Sequence, residues 1–318
     1  MLGNTINIWM KKVFANSFKT FVCIVFLSFT IIGIAQSSSG INNFLKPSDT
    51  LNKSRRNAIV ISQASAGVLT LIALDQLWYA DFERTKFRTT NDNNQWLQMD
   101  KLGHVYAAYQ FGRLGADTFK WAGVSKKDQL IYGATLGFSF LTAVEVFDGF
   151  SQEWGFSWGD MIANATGTGL YVGQELLWDE QRIALKYSFN RTEFAPLNPD
   201  KLGNGFAEEF LKDYNGQTYW LSFNLNSFFK SDCIPNWLNF AVGYGANGML
   251  TGSNDDLNFP NQDRYRQFYL SFDIDLTRIK TNSGVLKTLF SIFNTIKVPM
   301  PTLEFNGKNG VKAHYIYF

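Results

Sequence analysis

Three short polar runs stand out in this aromatic-rich chain, because their residue types and spacing could do chemistry. In "QMDKLGHVYAAYQ" (98–110), Asp100 and His104 are spaced i,i+4 with Lys101 between them, so a helix would present carboxylate and imidazole on one face. Glu145 and Asp148 follow at i,i+3 in "AVEVFDGFSQEWG", and Asp160, Asn164 and Thr168 at i,i+4,i+8 in "WGDMIANATGTGLYVGQELLW". Unpaired charge is costly to bury, so these groups are expected to meet one another.

Three outcomes suit such a meeting. His104 with Asp100, Glu145 and Asp160 could bind a divalent metal through one imidazole and oxygen ligands. Glu145 or Asp160 could be a general base and His104 an acid, acting on a lipid-like or phosphate-bearing substrate. Alternatively the set is a closed network, in which Lys101 neutralises a carboxylate and Asn164 bridges helices. The candidates are thus His104, Glu145 and Asp160 for acid–base work, and Asp100, Lys101, Asp148 and Asn164 for a polar core or ligand site. Asp100 and His104 are the candidate metal ligands, with a divalent metal as the candidate cofactor. No GxSxG elbow, phosphate-binding glycine loop, HExxH or CxxC pair accompanies them.

The elements that would position these residues read as helices first and strands second. After a polar linker (36–53), four helices are expected at about 57–78, 99–121, 127–147 and 158–178. The second carries Arg113, Asp117 and Lys120 and is a poor candidate to cross lipid alone. The fourth places Gly159, Ala163, Gly167 and Gly173 where close helix contact needs small residues. Past Glu180 the period changes from 3.6 to 2. "RIALKYSFN", "TYWLSFNLN", "WLNFAVGYGAN" and "FYLSFDIDLT" alternate strictly, with weaker strands at 301–305 and 311–318. A short amphipathic helix is expected within 284–301, interfacial or covering a sheet edge. His314, the second of the two histidines, lies in the last strand, facing solvent or a lumen. The glycines of "GYGANGML" are read as a turn or bulge.

The expected fold is α+β: an N-terminal four-helix bundle (54–181) followed by an antiparallel β-sheet or partial β-barrel (182–318). Aromatic-studded alternation with a polar second face also suits an outer-membrane barrel, but about six strands fall short of the eight of the smallest barrels.

Composition narrows the class. The chain has 318 residues, and its 29 Lys+Arg against 27 Asp+Glu argue against a nucleic-acid partner. Charged residues are 18%, below the usual ~25% of soluble domains. "MKKVFANSFKTFVCIVFLSFTIIGIAQ" has a basic start, an apolar core and small residues at Gly33 and Ala35, so 1–35 reads as a signal peptide cleaved after Ala35. Met10 opens a better signal than Met1. Cys23 lies in a poor lipobox, and after cleavage Cys233 is alone, so no internal disulfide is expected.

Four stretches carry a family resemblance: "NQWLQMDKLGHVYAAYQFGRLGADTFKWAG", "VEVFDGFSQEWGFSWGDMIANATG", "DEQRIALKYSF" and "KDYNGQTYWLSFNLNSF". From about Leu74 onward the chain resembles the YfiM-like family of uncharacterised, predicted periplasmic or outer-membrane proteins. More distantly, the helical half resembles VanZ-like proteins, whose DKxxH start, following glutamate and D-x-x-x-N-x-x-G helix align with Asp100, Lys101, His104, Glu145, Asp160, Asn164 and Gly167. The signal, the charged second helix and the β-rich half depart from that second pattern. The resemblance implies an exported protein of the outer membrane or periplasm. Its expected role is structural, assembly or ligand-binding, with the outer membrane or its lipids and envelope proteins as partners. The alternative is an envelope enzyme acting on a lipid or cell-wall precursor.

Overall fold

The computed structural model describes residues 38–79, 83–259 and 262–318. The expected signal segment (1–35), with Cys23, lies outside them. The chain groups into two units: 1–46 with 281–288, and 47–280 with 289–318. In the first, a short helix α1 (Ser38–Leu45) occupies the stretch expected as linker, and Asn42 Oδ1 accepts a bond from Gly284 N at 2.7 Å.

In the second unit, α2 (Lys53–Leu74) starts at Asn52, whose side chain accepts from Arg55 N, and runs into a π turn at Asp75–Tyr79. Strand β1 (Thr89–Thr90) and a 3₁₀ turn (Gln95–Gln98) lead to α3 (Met99–Trp121). A π turn at Gln129–Gly133 precedes α4 (Leu136–Gly149). Strand β2 (Phe156–Ser157) pairs parallel with β1 and opens α5 (Trp158–Trp178), where Ser157 Oγ accepts from Asp160 N at 3.2 Å.

Helices α3, α4 and α5 pack together through glycine. A Cβ on Gly137 of α4 would sit 2.4 Å from the Ala108 carbonyl of α3, and one on Gly167 of α5 would sit 2.1 Å from the Val105 carbonyl. Both contacts are possible only without a side chain, and they bring α4 and α5 to the same turn of α3. The expected bundle of four is instead this group of three with α2 peripheral. Near its start α2 buries Ile59 with Phe119, Ala122 and Val124, and Arg55 stacks 4.3 Å over Trp121. Farther on, Val60, Ile61, Val68, Leu69 and Ile72 are exposed. Because α2 is apolar almost all round, it specifies no single face to bury. By length and composition, Lys53–Leu74 and Lys126–Gly149 are each apolar enough to cross a membrane.

The sheet is a six-stranded antiparallel meander: β3 (Ile183–Phe189), β4 (Gln217–Asn224), β5 (Leu238–Asn247), β6 (Tyr265–Ile274), β7 (Met300–Asn306) and β8 (Gly310–Tyr317). One row across it reads Lys186, Trp220, Gly243, Tyr269, Glu304 and Lys312. The next, on the opposite face, reads Leu185, Leu221, Val242, Leu270, Leu303 and Ala313. The polar face is the buried one. Lys186, Ser188, Trp220, Ser222 and Asp273 are all at 0% exposure, and Gly243 leaves room for the Trp220 ring. Strong curvature closes this face: Tyr317 of β8 bonds to Tyr269 at 2.9 Å and lies 3.2 Å from the Thr218 hydroxyl of β4. The edge of β3 is covered by the Thr295–Lys297 stretch, through Tyr187 N to Thr295 O (3.0 Å) and Lys297 N to Tyr187 O (2.9 Å). That stretch follows the short helix expected in 284–301, observed as Gly284–Phe293.

On the apolar face, Leu185, Tyr187, Phe189 and Tyr219 pack under helices, with Leu185 beside Tyr109 and Tyr171, and Tyr187 beside Tyr106. Phe268, Leu270, Phe272, Leu303, Phe305 and Val311 lie beyond the helices and are exposed. The packing of sheet on helices is therefore confined to one side of the meander. His314 points into the polar face, its Nε2 2.7 Å from Glu304 Oε2.

Candidate functional site

Asp100 and His104 sit in the first turns of α3, Glu145 and Asp148 in the last turn of α4, and Asp160 and Asn164 in the first turns of α5. The glycine contacts at Ala108 and Val105 bring these three helix ends together beside His104. Asp100, Lys101, His104, Glu145, Asp160 and Asn164 come together here, while Asp148 bonds to Tyr79 and Thr168 Oγ1 makes no hydrogen bond.

His104 Nδ1 lies 3.0 Å from Asn164 Oδ1, a contact that pairs this amide orientation with the tautomer protonated at Nδ1. Nε2 then faces three carboxylate oxygens: Glu145 Oε1 at 3.7 Å, Asp160 Oδ1 at 3.8 Å and Asp100 Oδ1 at 4.0 Å. None is within hydrogen-bonding distance. Lys101 Nζ is the fixed counter-charge, 2.7 Å from Asp92 Oδ1, 3.1 Å from Asp100 Oδ2 and 3.0 Å from Asp160 Oδ2. Asp160 Oδ1 is 2.9 Å from the same ammonium but out of line for a hydrogen bond, and it is buried without one. Asn164 Nδ2 and Thr168 Oγ1 are also buried without a bond.

Outer contacts hold the carboxylates. Tyr214 donates its hydroxyl to Asp100 Oδ1 and Tyr79 to Asp148 Oδ1, both at 2.7 Å. Ser157 N donates to Glu145 Oε2 at 3.1 Å, and the Ser157 hydroxyl donates to Asp92 at 2.7 Å. Asp92 comes from the loop that the β1–β2 pairing ties to the start of α5. Asp92, Tyr79, Tyr214 and Ser157 were not legible as site residues, since they lie in turns, loops and a cap without periodicity.

The entry to α3 is strained. Trp96, Leu97 and Gln98 are consecutive left-handed residues with φ of 48°, 50° and 68°, a conformation costing an L-residue roughly 1–2 kcal/mol. Trp96 N bonds to Gly252 O at 2.8 Å, Tyr244 OH donates to Leu97 O at 2.6 Å, and Arg266 to Gln98 Oε1 at 2.7 Å.

Electrostatics follow from burial and crowding. Burial, with help from Asp160 and Asp148, pushes the Glu145 carboxyl up to about 8. Burial likewise raises Asp148 to about 6, and burial with the Asp100 charge raises Asp160 to about 6. For His104 burial opposes the charged form, but Asp100, Asp160 and Glu145 outweigh it and raise its pKa. Burial also works against the Asp100 anion, yet His104 and Lys101 hold it below its ordinary value. Chemically the site offers an oriented imidazole and a carboxyl that holds a proton near neutrality, which suits proton transfer. Ligand atoms of His104, Asp100 and Asp160 also lie within 4.8 Å of one another, which suits a cation.

Residues 89–174 match the model of a family described as a predicted periplasmic lipoprotein, DUF2279. No curated protein and no solved structure matches the chain. The matched stretch contains Asp92, Asp100, Lys101, His104, Glu145, Asp148, Asp160 and Asn164, and the likeness supports an exported, periplasmic protein of the cell envelope.

Proposed function

We propose that this is an exported envelope protein that associates with the outer membrane and holds a ligand in the polar centre between α3, α4 and α5. The observation carrying membrane association is the inverted sheet. Its charged face is sealed inside, while Phe268, Phe272 and Val311 stand 51%, 49% and 66% exposed. A water-facing sheet puts its polar side outward; this polarity suits a lipid surface. A shallow groove of about 520 Å³ on that face is lined by Phe240, Leu270, Phe272, Pro301, Leu303 and Tyr315. The finer likeness to YfiM-like proteins fits this location, and that to VanZ-like proteins fits the helical centre. Fractionation tests the location: the mature protein is expected with outer-membrane markers, and recovery with the inner membrane would overturn the reading.

A second reading is favoured by the orientation of His104 and the proton held on Glu145. In it the centre is that of an envelope enzyme acting on a lipid or cell-wall precursor, with His104 or Glu145, both of raised pKa, as acid and Asp160 as base. His104→Ala separates the readings of the centre. A folded, correctly located variant that loses its cellular role rules out a purely structural clasp; loss of folding alone favours the clasp.

A further inference from the structure

We infer that the centre is a metal site, in which His104 Nε2 and the carboxylates of Asp100, Glu145 and Asp160 bind one divalent transition-metal ion. This rests on the ligand-binding reading above and names its ligand class.

With Nδ1 taken up by Asn164, Nε2 is the nitrogen directed at oxygens 3.7, 3.8 and 4.0 Å away, and an ion binding there would displace any proton it carries. Donors bound tetrahedrally at ~2.0–2.2 Å from one ion lie about 3.3–3.6 Å from each other, so each of the three Nε2–oxygen distances is a few tenths of an ångström long, and the carboxylates, Glu145 above all, would have to draw in around the ion. One ligand atom each of Asp100, His104 and Asp160 already lies within 4.8 Å of the others. Hydrogen bonding inside a closed network would instead have drawn at least one oxygen to within about 3.2 Å of Nε2.

An independent observation is the state of Asp160. The residue is 3% exposed, and its Oδ1, the oxygen nearest Nε2, is buried with no hydrogen bond. Lys101 hydrogen-bonds the other oxygen at 3.0 Å and its ammonium lies 2.9 Å from Oδ1, so Oδ1 has a counter-charge but no hydrogen bond, and it sits 3.8 Å from His104 Nε2.

Charge points the same way. Asp92, Asp100 and Asp160 share one ammonium, that of Lys101. A divalent ion would offset two of the surplus charges. The supporting contacts also suit a metal: the imidazole anchored at Nδ1 by Asn164, Asp100 held by Tyr214, and Glu145 held by the Ser157 amide. A nitrogen donor with three carboxylates favours Zn²⁺ or Mn²⁺ over Mg²⁺ or Ca²⁺, which prefer oxygen alone.

The test uses the purified full chain, stripped with chelator and titrated with Zn²⁺ alone and Mn²⁺ alone by calorimetry. One ion per chain is expected. Asp160→Asn and His104→Ala should each weaken binding by at least a hundredfold, and Asn164→Ala by about 10–100-fold through the freed imidazole. Glu153→Gln, which alters only a surface ion pair with Lys201, should bind like the parent. If His104→Ala does not fold, by near-UV circular dichroism, Asp160→Asn and Asn164→Ala decide. Absence of saturable binding to the parent, or unchanged binding by the folded variants, overturns the site. A parent that fractionates with the outer membrane yet binds neither ion overturns the metal and leaves the location standing.

Discussion

Inside the sheet, Lys186 Nζ meets Asp273 Oδ2 at 2.7 Å with neither group exposed, and their remaining atoms are bonded as well. The ammonium donates to Ile274 O, Ser222 donates to Asp273 Oδ2, and Val298 N donates to Asp273 Oδ1. Lys297 lies 4.7 Å over the Trp220 ring and donates to Val298 O. Between the helices, by contrast, carboxylates outnumber cations, an imidazole nitrogen faces three oxygens without touching them, and a buried carboxylate oxygen has no hydrogen bond. Buried charge by itself therefore does not mark a functional site in this protein. Its state of completion differs between the two: the sheet interior closes on its own atoms, whereas the helical centre keeps polar atoms without hydrogen bonds, the feature on which the proposed metal site rests.

The largest expected effect lies in the sheet. Asp273→Ala strands the Lys186 ammonium and should cost about 3–5 kcal/mol in urea unfolding, since breaking a buried pair leaves an uncompensated charge. A loss under about 1 kcal/mol would erase the contrast, being the worth of a surface pair. In the helices the sign reverses. Glu145→Gln keeps an acceptor for Ser157 N and removes a crowded charge, so at pH 8 in chelator it should raise stability by about 1–3 kcal/mol. The same variant should lose metal binding; a variant both less stable and still binding would break the comparison.

Gly167→Val probes the close approach that assembles the centre. Its side chain would meet the Val105 carbonyl, and overpacking of this kind costs about 1–3 kcal/mol. Calorimetry of the folded variant should show weakened Zn²⁺ binding as α5 moves off α3.

The smallest effect is in pH. Glu145 has a folded pKa of about 8 against 4.5 ordinarily, so between those values the folded state holds a proton that the unfolded state has released. Stability of the chelated protein should accordingly fall as pH rises across that window. The raised pKa of His104 adds the same sign above pH 6.5. Asp100, lowered, acts oppositely and only below its ordinary 3.8. Melting midpoints at pH 6 and pH 8 read this out, and Glu145→Gln should flatten the slope.

Much of this arrangement was legible beforehand, for definite reasons. α3 and α5 run over Met99–Trp121 and Trp158–Trp178 as expected, because their periodicity is long and their ends are marked. The convergence of Asp100, His104, Glu145 and Asp160 followed from spacing plus the cost of lone buried charge. Alternation located the strands but is silent on which face is inside, so a polar face turned inward, as in a barrel, and an apolar face packed on helices both stayed open. The isolation of α2 was hidden for a related reason, as a helix apolar all round does not say which neighbour it needs. Asp92 and Tyr214 reach the centre only through tertiary folding, Tyr214 from 114 residues beyond Asp100.

The left-handed turn at Trp96, Leu97 and Gln98 ties the sheet to the entry of α3, beside a centre the sheet does not line. The turn holds its contorted path because Tyr244 of β5 and Arg266 of β6 grip Leu97 O and the Gln98 side chain. Asp100 begins two residues later, so any slackening of that grip would rotate the first turn of α3 and shift Asp100 and Lys101 against Asp160. Tyr244→Phe thus becomes a remote detuning of the centre, made from a residue that donates no ligand. Substitutions that loosen the turn should appear as misaligned chemistry before they appear as a broken fold.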